Sequence, residues 1–306
     1  MIHLSGNDAV LFSTKDTAIA LGKFDGIHIG HQRLIERLMK EKEKGMQTLV
    51  FSFGDKMNSV LKGENRKTIY TLEEKACYFN EMGVDILLEY PFSKEFASLS
   101  PEEFVSQCLV NQLNVKSIYV GEDYCFGHAR SGNVATLKQL GERYNFKVCS
   151  IPKLKLGDNI VSSTIIREKL VSDFKVANQM LGNPYFVYGE VVEGMHLGRT
   201  IGFPTINQKI PDYKVVPQRG VYESHVWIDS ISYKGISNLG VKPTIDGKHH
   251  LGLETFIFDY HGDLYGKEIK TELLSFLRPE RKFDSVVDLT AQIKDDINFI
   301  LSGKNT

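Results

Sequence analysis

The chain has 306 residues, 42% hydrophobic and 25% charged, with a net charge of -1. That length suits two domains with a core each, and the balance excludes a disordered or fibrous protein. The near-neutral charge excludes a broad basic surface for duplex nucleic acid, and no apolar run reaches the about 20 residues of a membrane helix. The four cysteines, Cys77, Cys108, Cys125 and Cys149, form no C-x-x-C pair, which leaves zinc ribbons and thioredoxin-like redox unsupported. The opening "MIHLSGNDAVLFSTKD" lacks the basic start and apolar stretch of a secretory leader. Free thiols and a cytoplasmic location are therefore expected. A homo-oligomer is left open.

From residue 17 strands and helices alternate. "TAIAL" reads as a strand, "GKFDGIHIG" as a loop, and "HQRLIERLMKEKEKG" as a helix with Leu34, Ile35, Leu38 and Met39 on one face. "QTLVFSF" is the next strand, and the βαβ unit so formed predicts a parallel sheet. "TLEEKACYFNEMG" reads as a helix and "VDILLEY" as a strand. "SPEEFVSQCLVNQL" opens a helix with Ser100, Pro101 and Glu103, a capping box with proline at the first position. "VKSIYVG", "NVATLKQLGERYN" and "FKVCSI" continue as strand, helix and strand, and "SSTIIREKLVSDFKVANQML" reads as one long helix. The repeated units predict a doubly wound α/β domain.

Near Gly182 the texture changes. "PYFVYGEVVEGM", "GVYESHVWI", "SYKGISNLG", "LETFIFDY" and "KEIKTELLSFL" read as strands, several alternating in period 2. They predict a small antiparallel β-barrel, closed at the chain end by the amphipathic helix "DSVVDLTAQIKDDINFIL". The boundary falls at about residues 182–186, with "LGNP" as hinge.

Three places carry chemistry. The loop with Gly22, Gly26, Gly30, His28 and His31 follows a strand and precedes a helix, where α/β proteins bind ligands and helix N-termini favour anions. A phosphate site, a zinc site and a plain glycine turn all remain open on the residues alone. At "SSTIIR", Ser163 or Thr164 can cap a helix and donate to a phosphate, and the Arg167 fork suits pyrophosphate. In "GEVVEGMHLGRTIGFPTINQ", Gly194, Gly198 and Arg199 can form a phosphate-cradling flap. Thr205 and Asn207 share one side of an extended segment there, and their oxygens suit Mg²⁺ with phosphates and water.

These motifs resemble a known family. "GKFDGIHIGHQ" is similar to the H-x-G-H signature of nucleotidylyltransferases, and more narrowly to the G-x-F-D-G-x-H-x-G-H-Q form of bacterial bifunctional riboflavin kinase/FAD synthetases. "VSSTIIR" resembles that family's I-S-S-T-x-I-R, and "GRTIGFPTIN" its G-R-x-x-G-x-P-T-x-N. The resemblance runs from about Asp16 to Phe299. It implies an FMN adenylyltransferase domain over 1–183 and a riboflavin kinase domain over 184–306. ATP would be the co-substrate of both, with Mg²⁺, and riboflavin, FMN and FAD the flavins; no nucleic acid or membrane is implied.

For adenylyl transfer it implies His28 and His31 on ATP phosphates, with Arg167, Ser163 and Thr164 gripping the same nucleotide. Gly22, Lys23, Phe24 and Asp25 form the loop around it, Asp25 orienting the loop or the ribose. "VGEDYCFGHARSGN" places Asp123 against the flavin. For the kinase it implies Gly194, Gly198, Arg199, Gly202 and Pro204 around ATP, Thr205 and Asn207 on Mg²⁺, and Glu254 as catalytic carboxylate. Arg278, in "FLRPERKFDS", would hold the flavin or the flap. One departure stands out: where the family carries a proline-containing F-x-P-x-P-like run, this chain has "FSFGDKMNSV", Phe51–Val60. That departure leaves room for an enzyme with only the kinase site alive.

Overall fold

The computed structural model describes residues 1–5, 11–53, 67–194, 197–243 and 249–303. Of the atypical Phe51–Val60 run, residues 54–60 lie outside the described residues. Two compact units divide the chain, Met1–Ser163 and Thr164–Thr306.

The first unit is built on a six-stranded parallel sheet: β1 (Ile2–Leu4), β2 (Thr17–Leu21), β3 (Gln47–Phe53), β4 (Ile86–Tyr90), β5 (Val115–Gly121) and β6 (Lys147–Ile151). The strand order is β1-β4-β3-β2-β5-β6. The chain winds from β2 outward through β3 and β4, then crosses back to β5 on the other flank of β2. The reversal leaves a crevice outside the carboxyl ends of β2 and β5, where doubly wound sheets bind ligands. Every residue of β2 is buried, as a strand covered on both faces requires. One face packs Ile19, Leu21, Phe51, Leu88, Ile118 and Val120 into a core with Phe104, Leu109 and Leu137.

Helices α1 (Ile29–Lys42), α2 (Leu72–Glu81), α3 (Lys94–Ser98), α4 (Pro101–Glu103) and α5 (Val134–Tyr144) connect the strands. The expected capping box of Ser100 and Glu103 is present, and the structure adds a second one at Thr71 and Glu74. Past Glu103 the helix widens to π geometry over Phe104–Gln112, which propensity does not reveal. β1 and α3 are also additions, too short to stand out by periodicity. The long helix expected over residues 162–181 is two helices, α6 (Ser163–Ser172) and α7 (Phe174–Leu181). Asp173 leaves helical geometry at φ -158°, ψ 81°, and its carboxylate accepts from the Val176 N–H at 3.2 Å. An aspartate that caps a new helix has left the old one.

The second unit is a closed barrel of β7 (Tyr185–Val192), β8 (Thr205–Lys209), β9 (Gly220–Ile228), β10 (Ile231–Pro243), β11 (His249–Ile257) and β12 (Glu268–Arg278), ordered β7-β8-β11-β10-β9-β12 and antiparallel throughout. α7 belongs to this unit by its bonds: the Asn178 amide donates to the Leu273 and Leu274 carbonyls and accepts from the Tyr185 N–H. Inside the barrel a chain of hydroxyls joins Ser224, Ser237 and Thr255. On the opposite face Val221, Ile236 and Phe256 pack with Ile297 and Ile300 of the closing helix, which spans Val286–Leu301.

Candidate functional sites

The first site is the loop between β2 and α1. Phe24 and Ile27 take left-handed backbone angles, φ 49° and 37°, each costing about 1–3 kcal/mol for a side chain of this kind. Burial holds them there. Both are fully enclosed, and Phe24 packs edge-on against Phe79 at 5.6 Å between centroids. Gly26 lies at φ 84°, and a Cβ there would meet Ile69 Cδ1 at 2.9 Å, so no larger residue fits.

Hydrogen bonds from several segments pin the loop. Asp25 Oδ1 accepts from the Ile69 N–H at 2.7 Å. Ser52 Oγ donates to the Lys23 carbonyl at 3.1 Å, and Gly22 N–H to the Phe51 carbonyl at 3.2 Å. Gln32 Nε2 donates to the Ile27 carbonyl at 2.9 Å, and Ser163 Oγ to the Asp25 carbonyl at 2.7 Å. Asp25, 1% exposed, is thus a strut of the loop. Ser163 directs its hydroxyl hydrogen to the same loop. Ser52 and Ile69 are functional supports that the sequence reading missed, because nothing local to "FSF" or "TIY" marks them.

His28 is the N-cap of α1, and its Nδ1 accepts from the His31 N–H at 3.3 Å. The rings stack with centroids 3.7 Å apart and 14° between planes. Burial pushes the His28 pKa down to about 4, outweighing the opposing pull of the Asp25 and Asp123 charges. Burial lowers His31 well below the ordinary histidine value, and proximity to His28 lowers it further. Both rings are neutral at pH 7. With Nδ1 accepting, His28 carries its proton on Nε2, a donor. A neutral His28 Nε2–H donor at a helix N-terminus suits an anion.

A stability prediction follows. The unfolded chain protonates His28 near pH 6.5 and the folded chain near 4, so the unfolded state binds the extra proton in that window. Stability is complete above about pH 6.5 and falls as the pH drops towards 4, by about 3 kcal/mol for this group. His28→Asn, which keeps the cap, should flatten the fall in a series of melts from pH 7 to 4. An unchanged slope contradicts the assignment.

Asp123, just beyond β5, is exposed and paired with Lys153 at 2.9 Å. Thr164 is exposed and Arg167 half-buried; they lie on α6, with Arg167 one turn from its start. Asn133, in the segment that carries Asp123, caps α5 through the Thr136 N–H.

The second site lies on the outer face of the barrel. Cross-strand pairs place Asn207, Glu254, Asn238, Val221 and Arg278 in one row over β8, β11, β10, β9 and β12, so their side chains share a face. Glu254, Asn238, Val221 and Arg278 of this row line a cavity of about 350 Å³, whose wall also includes Leu289, Ile293 and Asp296 of the final helix. Thr205, also on its wall, donates its hydroxyl to Glu254 Oε1 at 2.8 Å. That leaves the Thr205 oxygen lone pairs for a cation. Hydroxyl, amide and carboxylate oxygens side by side are the donor set that Mg²⁺ prefers.

Gly198 and Arg199 lie on a short helix, Leu197–Thr200, and the Gly198 carbonyl accepts from the Phe203 N–H at 2.8 Å. Gly202 and Pro204 lead from it into β8. A Cβ on Gly194 would sit 2.4 Å from Asn207 Nδ2. Gly194→Ala should therefore turn the Asn207 amide aside. The expected result is a loss of activity at this site with an unchanged melting temperature; full activity in steady-state assays contradicts it. Arg278 grips Asp296 with two nitrogens, at 3.0 and 2.7 Å to Oδ2. The arginine thus fastens the closing helix over the cavity it lines. Asp296 and Asn238 escaped the sequence reading.

Family models match both parts of the chain, one described as FAD synthetase over residues 12–165 and one as riboflavin kinase over residues 181–302. The bifunctional riboflavin kinase/FMN adenylyltransferase of Haemophilus influenzae is 36% identical over 284 residues, 92% of each chain. The protein of the same name from Bacillus subtilis is 36% identical over 288 residues, 92% of this chain and 90% of its own. Among solved structures, one named as a macrolide-efflux protein from Streptococcus pneumoniae shares the fold with a TM-score of 0.81 at 32% identity, covering 97% of this chain and 98% of that one. Among the described residues no helix is long and apolar enough to cross a membrane. With both halves matched in order and full-length relatives aligned across nearly their whole length, this chain belongs to the bifunctional riboflavin kinase/FMN adenylyltransferase family.

Proposed function

We propose that the chain carries both activities of its family, each on its own site: riboflavin is phosphorylated by ATP to FMN on the barrel, and FMN is adenylylated by a second ATP to FAD on the parallel sheet. The observation that carries the reading is that one chain holds both the stacked histidines and the row around Glu254. The functional division is 1–183 and 184–306. The free cysteines suit a cytoplasmic enzyme.

On the barrel, Glu254 takes the proton of the riboflavin 5′-hydroxyl as its oxygen attacks the γ-phosphorus, and ADP leaves. Thr205 and Asn207 would hold Mg²⁺, which when bound neutralises phosphate charge. Gly194, Gly198, Arg199, Gly202 and Pro204 form the nucleotide flap, and Arg278 keeps the closing helix in place.

On the sheet, a phosphate oxygen of FMN attacks the α-phosphorus of ATP, and the bond to the β-phosphate breaks to release pyrophosphate. His28 and His31 donate N–H groups to the phosphate oxygens, where charge builds up in the transition state. Gly22, Lys23, Phe24 and Asp25 shape the loop, and Ser163 braces it. From the sequence motif, Thr164 and Arg167 are assigned to the ATP phosphates and Asp123 to the flavin.

The test is product analysis. Riboflavin, ATP and Mg²⁺ incubated with the protein should yield FMN and then FAD on chromatography. FMN that accumulates without FAD would leave a kinase alone, and no flavin nucleotide at all would leave a binding module.

A further inference from the structure

The row on the barrel contains one polar residue to which the mechanism gives no task. Asn238 lines the cavity beside Glu254. Its Oδ1 is shielded from solvent and has no hydrogen-bond partner among the described residues. Leaving a buried carbonyl oxygen unmet is destabilising. A fold tolerates it where a ligand brings the donor.

The neighbours on the cavity wall do not supply that donor. Glu254 is an acceptor when ionised. Arg278 is engaged by Asp296, and Arg281 by the Gln292 side chain. The order of the row then says what the ligand is. Asn207 stands on one side of Glu254 and Asn238 on the other. If the phosphates lie towards Asn207 and the reacting hydroxyl at Glu254, the rest of the acceptor molecule passes Asn238. In riboflavin the atoms next to the reacting hydroxyl are secondary alcohols, each with an O–H to donate.

We infer that Asn238 orients the flavin for phosphorylation, its Oδ1 accepting a hydrogen bond from the polyol chain on the side of Glu254 away from ATP. The inference rests on the kinase reading above. It gives the site a means of reading the chain as well as the ring. An isoalloxazine without the polyol gains nothing from this contact.

The test is steady-state kinetics of FMN formation by the full chain, with lumiflavin, which carries a methyl in place of the polyol, as competitive inhibitor. Asn238→Ala should raise the riboflavin KM by about 5- to 30-fold, the loss of one buried hydrogen bond. The lumiflavin inhibition constant, the ATP KM and FAD formation from supplied FMN should stay unchanged. The melting temperature without ligand should not fall, because an unmet oxygen has been removed. Asn238→Ser, which keeps an acceptor oxygen, should recover part of the riboflavin KM.

An unchanged riboflavin KM overturns the inference. So does a lumiflavin constant that rises in parallel, an ATP KM that rises instead, or loss of folding in both variants. Wild-type protein that makes no FMN overturns the kinase reading itself, which is a separate outcome from an active wild type and an indifferent variant.

Discussion

Glu254→Gln should lower riboflavin phosphorylation by about 10²- to 10⁴-fold, the usual range for removal of a general base, and should leave FAD formation from supplied FMN at the wild-type rate. The substitution keeps the shape of the side chain and an oxygen to accept from Thr205, whose hydroxyl lies 2.8 Å from Glu254 Oε1. What it removes is a group able to take a proton. The loss should therefore fall on kcat, with the KM values for ATP and riboflavin close to wild type. Rates from separated half-reactions check it. A variant that keeps its kinase kcat contradicts the role of Glu254, and one that loses both half-reactions contradicts the independence of the sites.

The second large effect is at His28. His28→Ala should lower FAD formation from FMN by about 10²- to 10³-fold, the cost of one oriented donor at a developing charge, and leave FMN formation from riboflavin intact. The alanine also removes the N-cap of α1 that His28 supplies to the His31 N–H, worth about 1 kcal/mol. His28→Asn separates the two effects, since asparagine caps well but does not replace the imidazole Nε2 donor. Both variants should be equally poor adenylyltransferases, and only the alanine should melt earlier. If His28→Asn restores FAD formation, the histidine is a cap and the chemistry lies elsewhere.

Much of this was legible in the sequence, for identifiable reasons. β2, β3, β5 and β9 were read to within a residue because fully buried or strictly alternating strands between glycines leave little freedom. The three motifs were legible because each is local: phosphate chemistry gathers its backbone and donors within one loop. What stayed hidden depends on distance in sequence. Ser52 and Ile69 support the first loop from other strands and turns, and no pattern within their own segments says so. The break at Asp173 is hidden because apolar residues, Leu170, Val171, Phe174 and Val176, recur on both sides of it. Asn238 sits in "SYKGISNLG", legible as a strand, yet only the register of β10 against β11 shows that it is the neighbour of Glu254. The division of labour was visible before the geometry; the state of the histidines was not, because burial sets it.

That burial matters to the account. A charged imidazolium would attract phosphate more strongly, but it would do so in the ground state as well as in the transition state. Under the proposed function, neutral rings held parallel at 3.7 Å would act by position and direction, a contribution that grows as charge moves onto the phosphate oxygens.

The central claim is that one chain holds two separate sites joined only by the flavin that passes from one to the other. The most direct measurement mixes two inactive proteins. Glu254→Gln alone and His28→Ala alone should each fail to convert riboflavin to FAD with ATP and Mg²⁺. Mixed in equal amounts they should make FAD again, after a lag, because FMN released by the second is adenylylated by the first. A mixture that makes no FAD, while each variant keeps its own remaining half-reaction, would contradict the account.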